Sequence, residues 1–480
     1  MISNLKKSNQ PIIPPVKQRG YANKSFKLFI IGLLLPVFLF GTFYLLQKPA
    51  IYSNTLGLIT LQYINIDGEI KKVDRPYESI TNEKLLGWDA WHYYRIKNKV
   101  YQHITNTPDE YILAFFPLFP LIWKFSQLPP VGIIILNYIF YLIGYSILFS
   151  TFIPPKIPHR LPLFISGLTM PVAVVYFMPY TEGVFMITSA VCFYGIIRKN
   201  YPIYFLGSLL LATTRPAITI VALAILSTEV FYFLKHRNIA HVAKESVLKI
   251  LPLVIGTILV GLLQMHYGSP SITNFAAVQK YWGHHLQVPK GLSDWSSEGY
   301  GLNLATLCLF IPWGIYTLLR NIKKAPQDAI LTFSKEKNTK DIKNYLLILA
   351  IMYQLGTTLY IALFSGGNLH GLFRYLLCTP FFLVILFTWI TNKQNTLSFK
   401  FLIGAFIMAV VIKLTNNYSS KISFSDLGLL MLFVSITYTL FLHKLKSKGR
   451  LLMGATIVAI NIVWITFMFN IFLSKGWIFT

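Results

Sequence analysis

The residues able to do chemistry crowd into one polar stretch, Gly87-Trp88-Asp89-Ala90-Trp91-His92-Tyr93-Tyr94-Arg95, followed by Ala114-Phe115-Phe116-Pro117-Leu118-Phe119-Pro120. Asp89 is the sharpest of them. An acid flanked by Trp88 and leading an aromatic helix is expected to be partly desolvated, and a desolvated carboxylate is a better general base. The competing reading is that Asp89 caps the helix that follows it. His92, one turn on, could face the same site or stand as an interfacial histidine. Arg95 could meet a lipid phosphate or ordinary headgroups. The aromatic belt of a membrane interface explains Trp88, Trp91, Tyr93 and Tyr94 without any chemistry.

Further along, Pro179-Tyr180-Thr181-Glu182 sets an acid at a helix start, where a carboxylate favours the helix dipole. Arg215 lies between two apolar halves. An arginine near mid-membrane costs about 2.5–3.5 kcal/mol on insertion scales, so it requires a partner or a cavity. Glu182 is one candidate partner, and a bound phosphate is the other. Arg374 opens a later apolar run, where it could hold a phosphate or extend its head to the interface. Lys280 and His370 complete the set of basic groups expected on the same side as Asp89.

The elements that must carry these groups are membrane helices. The 480 residues are 54% hydrophobic and 12% charged, with a mean hydropathy of +0.55. Soluble domains carry about 25% charged residues, so this chain has too little polar surface for a water-soluble globule. Apolar runs such as 28–46, 131–152, 302–319 and 451–472 match the ~20 residues a spanning helix needs. The others are 161–178, 182–198, 201–214, 216–234, 247–267, 344–364, 373–392, 400–416 and 425–442, which predicts an all-α polytopic protein of about 13 spans. Tyr111 to Phe125, interrupted by Pro117 and Pro120, reads as an interfacial or re-entrant helix.

Net charge is +26, yet the basic residues sit in short clusters between apolar runs, the pattern of cytoplasmic loops rather than of nucleic-acid binding. This orientation keeps residues 1–26 inside as a basic N-terminus with an uncleaved first span. It puts a large loop, 47–130, on the extracytoplasmic side, and residues 321–343 in the cytoplasm ahead of C-terminal spans over 344–480. The outer loop retains Lys71, Lys72, Arg75 and Lys84 on the disfavoured side, which fits anionic lipid partners as well as the indifference of long loops to charge. Cys192, Cys308 and Cys378 lie in apolar runs with neither metal nor disulfide spacing. Matching halves of the kind many transporters carry are not evident.

Taken together, Trp-Asp-Ala-x-His-(Tyr/Phe) and the later Ala-Phe-Phe-Pro-x-Phe-Pro resemble the PIG-V family, the GPI mannosyltransferase 2 group of GT-C glycosyltransferases. The likeness continues through Pro179-Tyr180-Thr181-Glu182. It is weaker at Thr214-Arg215-Pro216, Gln279-Lys280-Tyr281-Trp282 and Phe373-Arg374-Tyr375, and thin beyond residue 285. Where bacterial members often read Ile-Ala-x-x-Gly-Tyr, this chain has Ile96-Lys97-Asn98-Lys99-Val100-Tyr101, which bears on the acceptor.

The resemblance implies a GT-C catalytic module over 27–320. It implies a polyprenyl-phosphate-mannose donor, and transfer of mannose to an acceptor hydroxyl on a glycolipid, glycan or protein. Asp89 would be the base, and His92, Arg95, Arg215, Lys280 and Arg374 candidates for the donor phosphate. Trp88, Tyr180, Glu182 and His370 would be further site residues. The reaction calls for no cofactor and no evident metal. A phosphate leaving group is stable as an anion, so cations and donors take the place of a general acid. A rival reading is a lipid or glycolipid transporter, or the same scaffold with another lipid-linked sugar. The Ile, Lys, Asn and Phe bias points to a bacterial cytoplasmic membrane.

Overall fold

The structure, a computed structural model, describes residues 19–46, 61–66, 69–74, 78–101, 109–157, 159–216, 218–287, 302–324, 333, 339–364, 371–391, 395–415 and 424–476. Helices dominate them, as expected. In chain order, the α-helices of five residues or more are α1 (Arg19–Leu33), α2 (Leu35–Leu46), α3 (Asp89–Lys99), α4 (Leu118–Ser126), α5 (Pro130–Phe152), α6 (Arg160–Leu168) and α7 (Glu182–Ile197). There follow α8 (Tyr201–Ala212), α9 (Ile218–His236), α10 (Ile239–His266), α11 (Leu302–Lys324), α12 (Thr339–Phe364) and α13 (Leu372–Leu376). The last four are α14 (Pro380–Thr391), α15 (Asn395–Thr415), α16 (Phe424–Phe441) and α17 (Ser447–Leu473). Between α2 and α3 lies an antiparallel strand pair, β1 (Leu61–Ile66) with β2 (Glu69–Asp74), in which Leu61 faces Asp74 and Ile66 faces Glu69.

Among the described residues, five helices are long and apolar enough to cross a membrane: Ser25–Leu46, α5, α10, Asp341–Phe364 and α17. They become six if a bent pair, α6 with the 3-10 helix Pro171–Phe177, counts as one span. Shorter apolar helices, α7, α8 and α14 among them, fall where other spans were expected. A 12-residue helix such as α8 is only about 18 Å long, short of the ~30 Å hydrocarbon core.

The surface of α10 shows why lipid is the solvent. Its exposed stripe is Val247, Leu251, Val254, Ile258 and Leu262, while its buried side carries Glu245, Lys249 and Gln264. Apolar outside and polar inside reverses the amphipathy of a soluble helix. Small residues allow the close approach that membrane helices use in place of a hydrophobic drive. A Cβ on Gly256 of α10 would lie 2.7 Å from the Leu209 carbonyl of α8.

The run 161–178, expected as a single span, is instead bent by 65°. Pro171 explains the break, since it lacks an N–H and forces the preceding residue out of helical geometry; Met170 is at φ −55°, ψ 149°. Irregular backbone at membrane depth is tolerated only inside protein, and every residue from Pro171 to Thr181 is buried. Asn137 of α5 satisfies it, donating to the carbonyls of Met178 (2.9 Å) and Tyr176 (3.5 Å) and accepting from Gly183 N–H (3.1 Å). Asn137→Leu strands those groups. A loss of about 1–3 kcal/mol per unsatisfied group is expected in a denaturant melt of the purified protein, and an unchanged midpoint would show that the clamp carries no stability.

Tyr111 to Phe125 is broken as expected, into a 3-10 helix at Asp109–Ala114 and α4 after Pro117. It is tied to the bundle at two points. Leu118 N–H donates to the Thr213 carbonyl (3.1 Å), and the Gln264 side chain donates to the Leu113 carbonyl (2.9 Å). The apolar core runs on through residue 320: α12 packs on α9 and α14, and α17 packs on α2 and on Pro171–Phe177.

Candidate functional site

Four elements deliver four charged side chains to one place. Asp89 is the first residue of α3, which the buried face of Ala90, Tyr93 and Ile96 seats against α4. Trp88 before it adopts φ 54°, a backbone state sparsely used outside glycine and asparagine. Glu182 opens α7 at the end of the buried 3-10 run. A Cβ at Gly183 would come within 2.2 Å of the Asn137 carbonyl oxygen, so glycine lets the start of α7 press against α5 there. Arg215 follows the end of α8. Arg374 lies in α13, where Gly371 at φ +67° starts the helix and Asn303 accepts the Phe373 N–H at 2.7 Å.

These groups form a chain of alternating charge. Asp89 Oδ2 lies 2.6 Å from Arg374 Nη1; Arg374 Nε donates to Glu182 Oε1; and the same oxygen accepts from Arg215 Nη1 at 3.4 Å. Side-chain exposure is 24% at Asp89, 6% at Arg374, 0% at Glu182 and 7% at Arg215. The chain thus descends from a partly open acid to a buried interior. Aromatic faces sheathe the guanidinium groups, with Tyr180 4.6 Å from Arg374 and Tyr375 4.8 Å from Arg215. Cation–π contacts of this kind strengthen as water is excluded. Burial, reinforced by the Asp89 carboxylate, pushes the Tyr93 phenol upward, so it stays protonated beside the acid.

Asp89, Tyr180, Glu182, Arg215 and Arg374 therefore converge. Asp89 is the first residue of α3 rather than its N-cap, and Arg215 pairs with Glu182 as one of its two sequence readings required. His92 and Arg95 turn toward the 109–115 segment: the His92 ring stacks near Phe115 (4.6 Å) and Tyr111 (5.2 Å), and Arg95 donates to the Tyr111 hydroxyl at 3.0 Å. Trp88 donates its indole N–H to the Gly476 carbonyl at 3.2 Å, beyond α17. Lys280 is exposed, with its ammonium 5.2 Å from the Tyr281 ring. His370 lies outside the described residues.

A second buried charge cluster escaped the sequence reading. Lys249 Nζ meets Glu229 (2.5 Å) and Glu245 (2.9 Å), and Tyr345 donates to the same Glu229 oxygen at 2.7 Å. The signal was there: Glu229 interrupts an apolar run, and Glu245 and Lys249 sit one helical turn apart. Among the described residues, no three His, Cys, Asp or Glu side chains gather closely enough to hold a metal ion. Comparison with known proteins finds no matching family model, and no match among curated proteins or solved structures.

Proposed function

We propose that this chain is a membrane glycosyltransferase of GT-C type, with about 13 spans and its N-terminus in the cytoplasm of a bacterium. It moves mannose from a polyprenyl-phosphate donor to an acceptor hydroxyl outside, with Asp89 as base. The observation that carries this reading is the Asp89–Arg374 pair: a partly exposed carboxylate 2.6 Å from a buried guanidinium. A base and a phosphate-binding cation side by side are what displacement of a lipid phosphate needs.

Asp89 takes the proton of the acceptor hydroxyl as its oxygen attacks the anomeric carbon. The bond from that carbon to the phosphate oxygen breaks, and the electron pair leaves on the phosphate. One in-line displacement inverts the anomeric centre. A phosphate arriving at Arg374 competes with Asp89 for the guanidinium, and the carboxylate so released is free to act. Charge-assisted contacts from guanidinium to phosphate are among the stronger hydrogen bonds available. The backbone strain at Trp88 supports the reading, since strained residues gather at functional sites.

One observation favours the transporter alternative. The Lys249–Glu229–Glu245 cluster is buried between apolar helices, and ionisable groups inside membrane proteins often mark ion or substrate paths. The test is transfer of labelled mannose from a synthetic short-chain polyprenyl-phosphate-mannose by the purified protein in bilayers of native lipid extract. Covalent label on a product supports the transferase. Intact donor crossing the bilayer with no product formed would give the transporter first place. A competing unlabelled glucosyl or arabinosyl donor that suppresses product better than the mannosyl one would change the sugar.

A further inference from the structure

Glu182 and Arg198 bracket α7, which puts them about 24 Å apart along its axis. At the Arg198 end, far from Asp89, a cleft of about 510 Å³ opens between α1, α5, α7 and α12. Its cations are Arg198 and Lys343, and its hydroxyl groups come from Ser146, Ser150 and Tyr194. Lys343 spends one of its three N–H donors on the Thr151 carbonyl (2.7 Å), and the Arg198 guanidinium lies 5.3 Å from the Tyr194 ring. Among the described residues no carboxylate pairs with either cation. The cleft is amphipathic, since Phe29 and Ile147 form part of its wall.

We propose that this cleft binds the phosphate headgroup of an anionic membrane lipid at the cytoplasmic face. Two cations that no described carboxylate pairs with, and a group of hydroxyl donors, suit phosphate oxygens. The apolar wall suits the start of an acyl chain, which a soluble phosphate would not need. Basic pockets between transmembrane helices on the cytoplasmic side are where anionic headgroups settle. The inference holds whichever reaction Asp89 serves.

The test uses the full-length protein in nanodiscs of phosphatidylcholine doped with phosphatidylglycerol. Lipid retention after extraction is read by native mass spectrometry. The wild type is expected to retain phosphatidylglycerol selectively. Arg198→Gln should lower that retention about fivefold, and Arg198→Gln with Lys343→Gln roughly twentyfold or more. Lys244→Gln with Lys448→Gln, two exposed lysines outside the cleft, should leave it within about twofold, well below the effect of a lost phosphate contact. Arg198→Gln alone covers the case in which the double variant fails to fold, because the described contact of its side chain is the Tyr194 ring. Three results would overturn the proposal: undiminished retention in folded Arg198→Gln, equal loss from the exposed pair, or equal stabilisation by inorganic phosphate without the lipid.

Discussion

Asp89→Asn is expected to lower mannose transfer about a hundredfold, on the scale of a lost general base, while the protein stays folded. The amide has the shape of the carboxylate and keeps an oxygen toward Arg374, but it cannot take a proton at neutral pH. Stability should change little for two reasons. Asp89 is the most exposed member of its chain, at 24%, and Arg374 keeps Glu182 as a counterion when Asp89 is neutralised. Activity and stability therefore separate at this position. The measurement is the single-turnover rate beside a thermal melt. Equal rates in the two proteins would remove Asp89 from the mechanism, while a collapsed melt would recast it as structural.

Glu182→Gln should show the opposite pattern. Its Oε1 is shared by Arg215 and Arg374, both nearly buried, and the glutamate itself is fully buried. Removing one partner of a buried ion pair costs about 3–5 kcal/mol, because the charge left behind has neither water nor counterion. Here two guanidinium groups lose their common acid, and Asp89 reaches only Arg374. A large fall in melting temperature or in yield is expected, with activity lost as a consequence. Adding Arg215→Leu to Glu182→Gln should restore part of the stability by removing the uncompensated charge, a coupling that a double-mutant cycle measures. A variant as stable as wild type, with arginines still in place, would mean that water reaches this end of the chain. Glu182 would then be assigned to the substrate.

Some of this was legible in local sequence because local chemistry sets it. A chain with few charges and repeated apolar runs has to be solvated by lipid, and the outward apolar stripe of α10 follows from that. Of the two prolines expected to interrupt the 111–125 segment, Pro120 lies in the first turn of α4, where its missing N–H has no helical partner to lose, and Pro117 stands at the break. Pro171 acted in the same way within 161–178, where its effect was overlooked. The β1–β2 strand pair was not anticipated, although Asp67-Gly68 between the two strands is the short-range mark of a hairpin. Lys249 and its acids were missed because Glu229 and Lys249 stand on two different helices, and only the packing of α9 on α10 brings them opposite one another.

By itself, then, the sequence determined that the protein lives in a membrane and that Asp89, Glu182, Arg215 and Arg374 each required an explanation. A charge in or at the edge of an apolar run, as at Glu182, Arg215 and Arg374, is costly wherever the chain goes. An acid set among aromatic side chains, as at Asp89, is open to desolvation, so both kinds of oddity are visible without a fold. Only the tertiary structure decided that these four answer one another. Asp89 and Arg374 are 285 positions apart, and Glu182 and Arg374 are 192. An ion pair depends on distance in space, and periodicity along a helix carries no information about which distant turn will stand opposite.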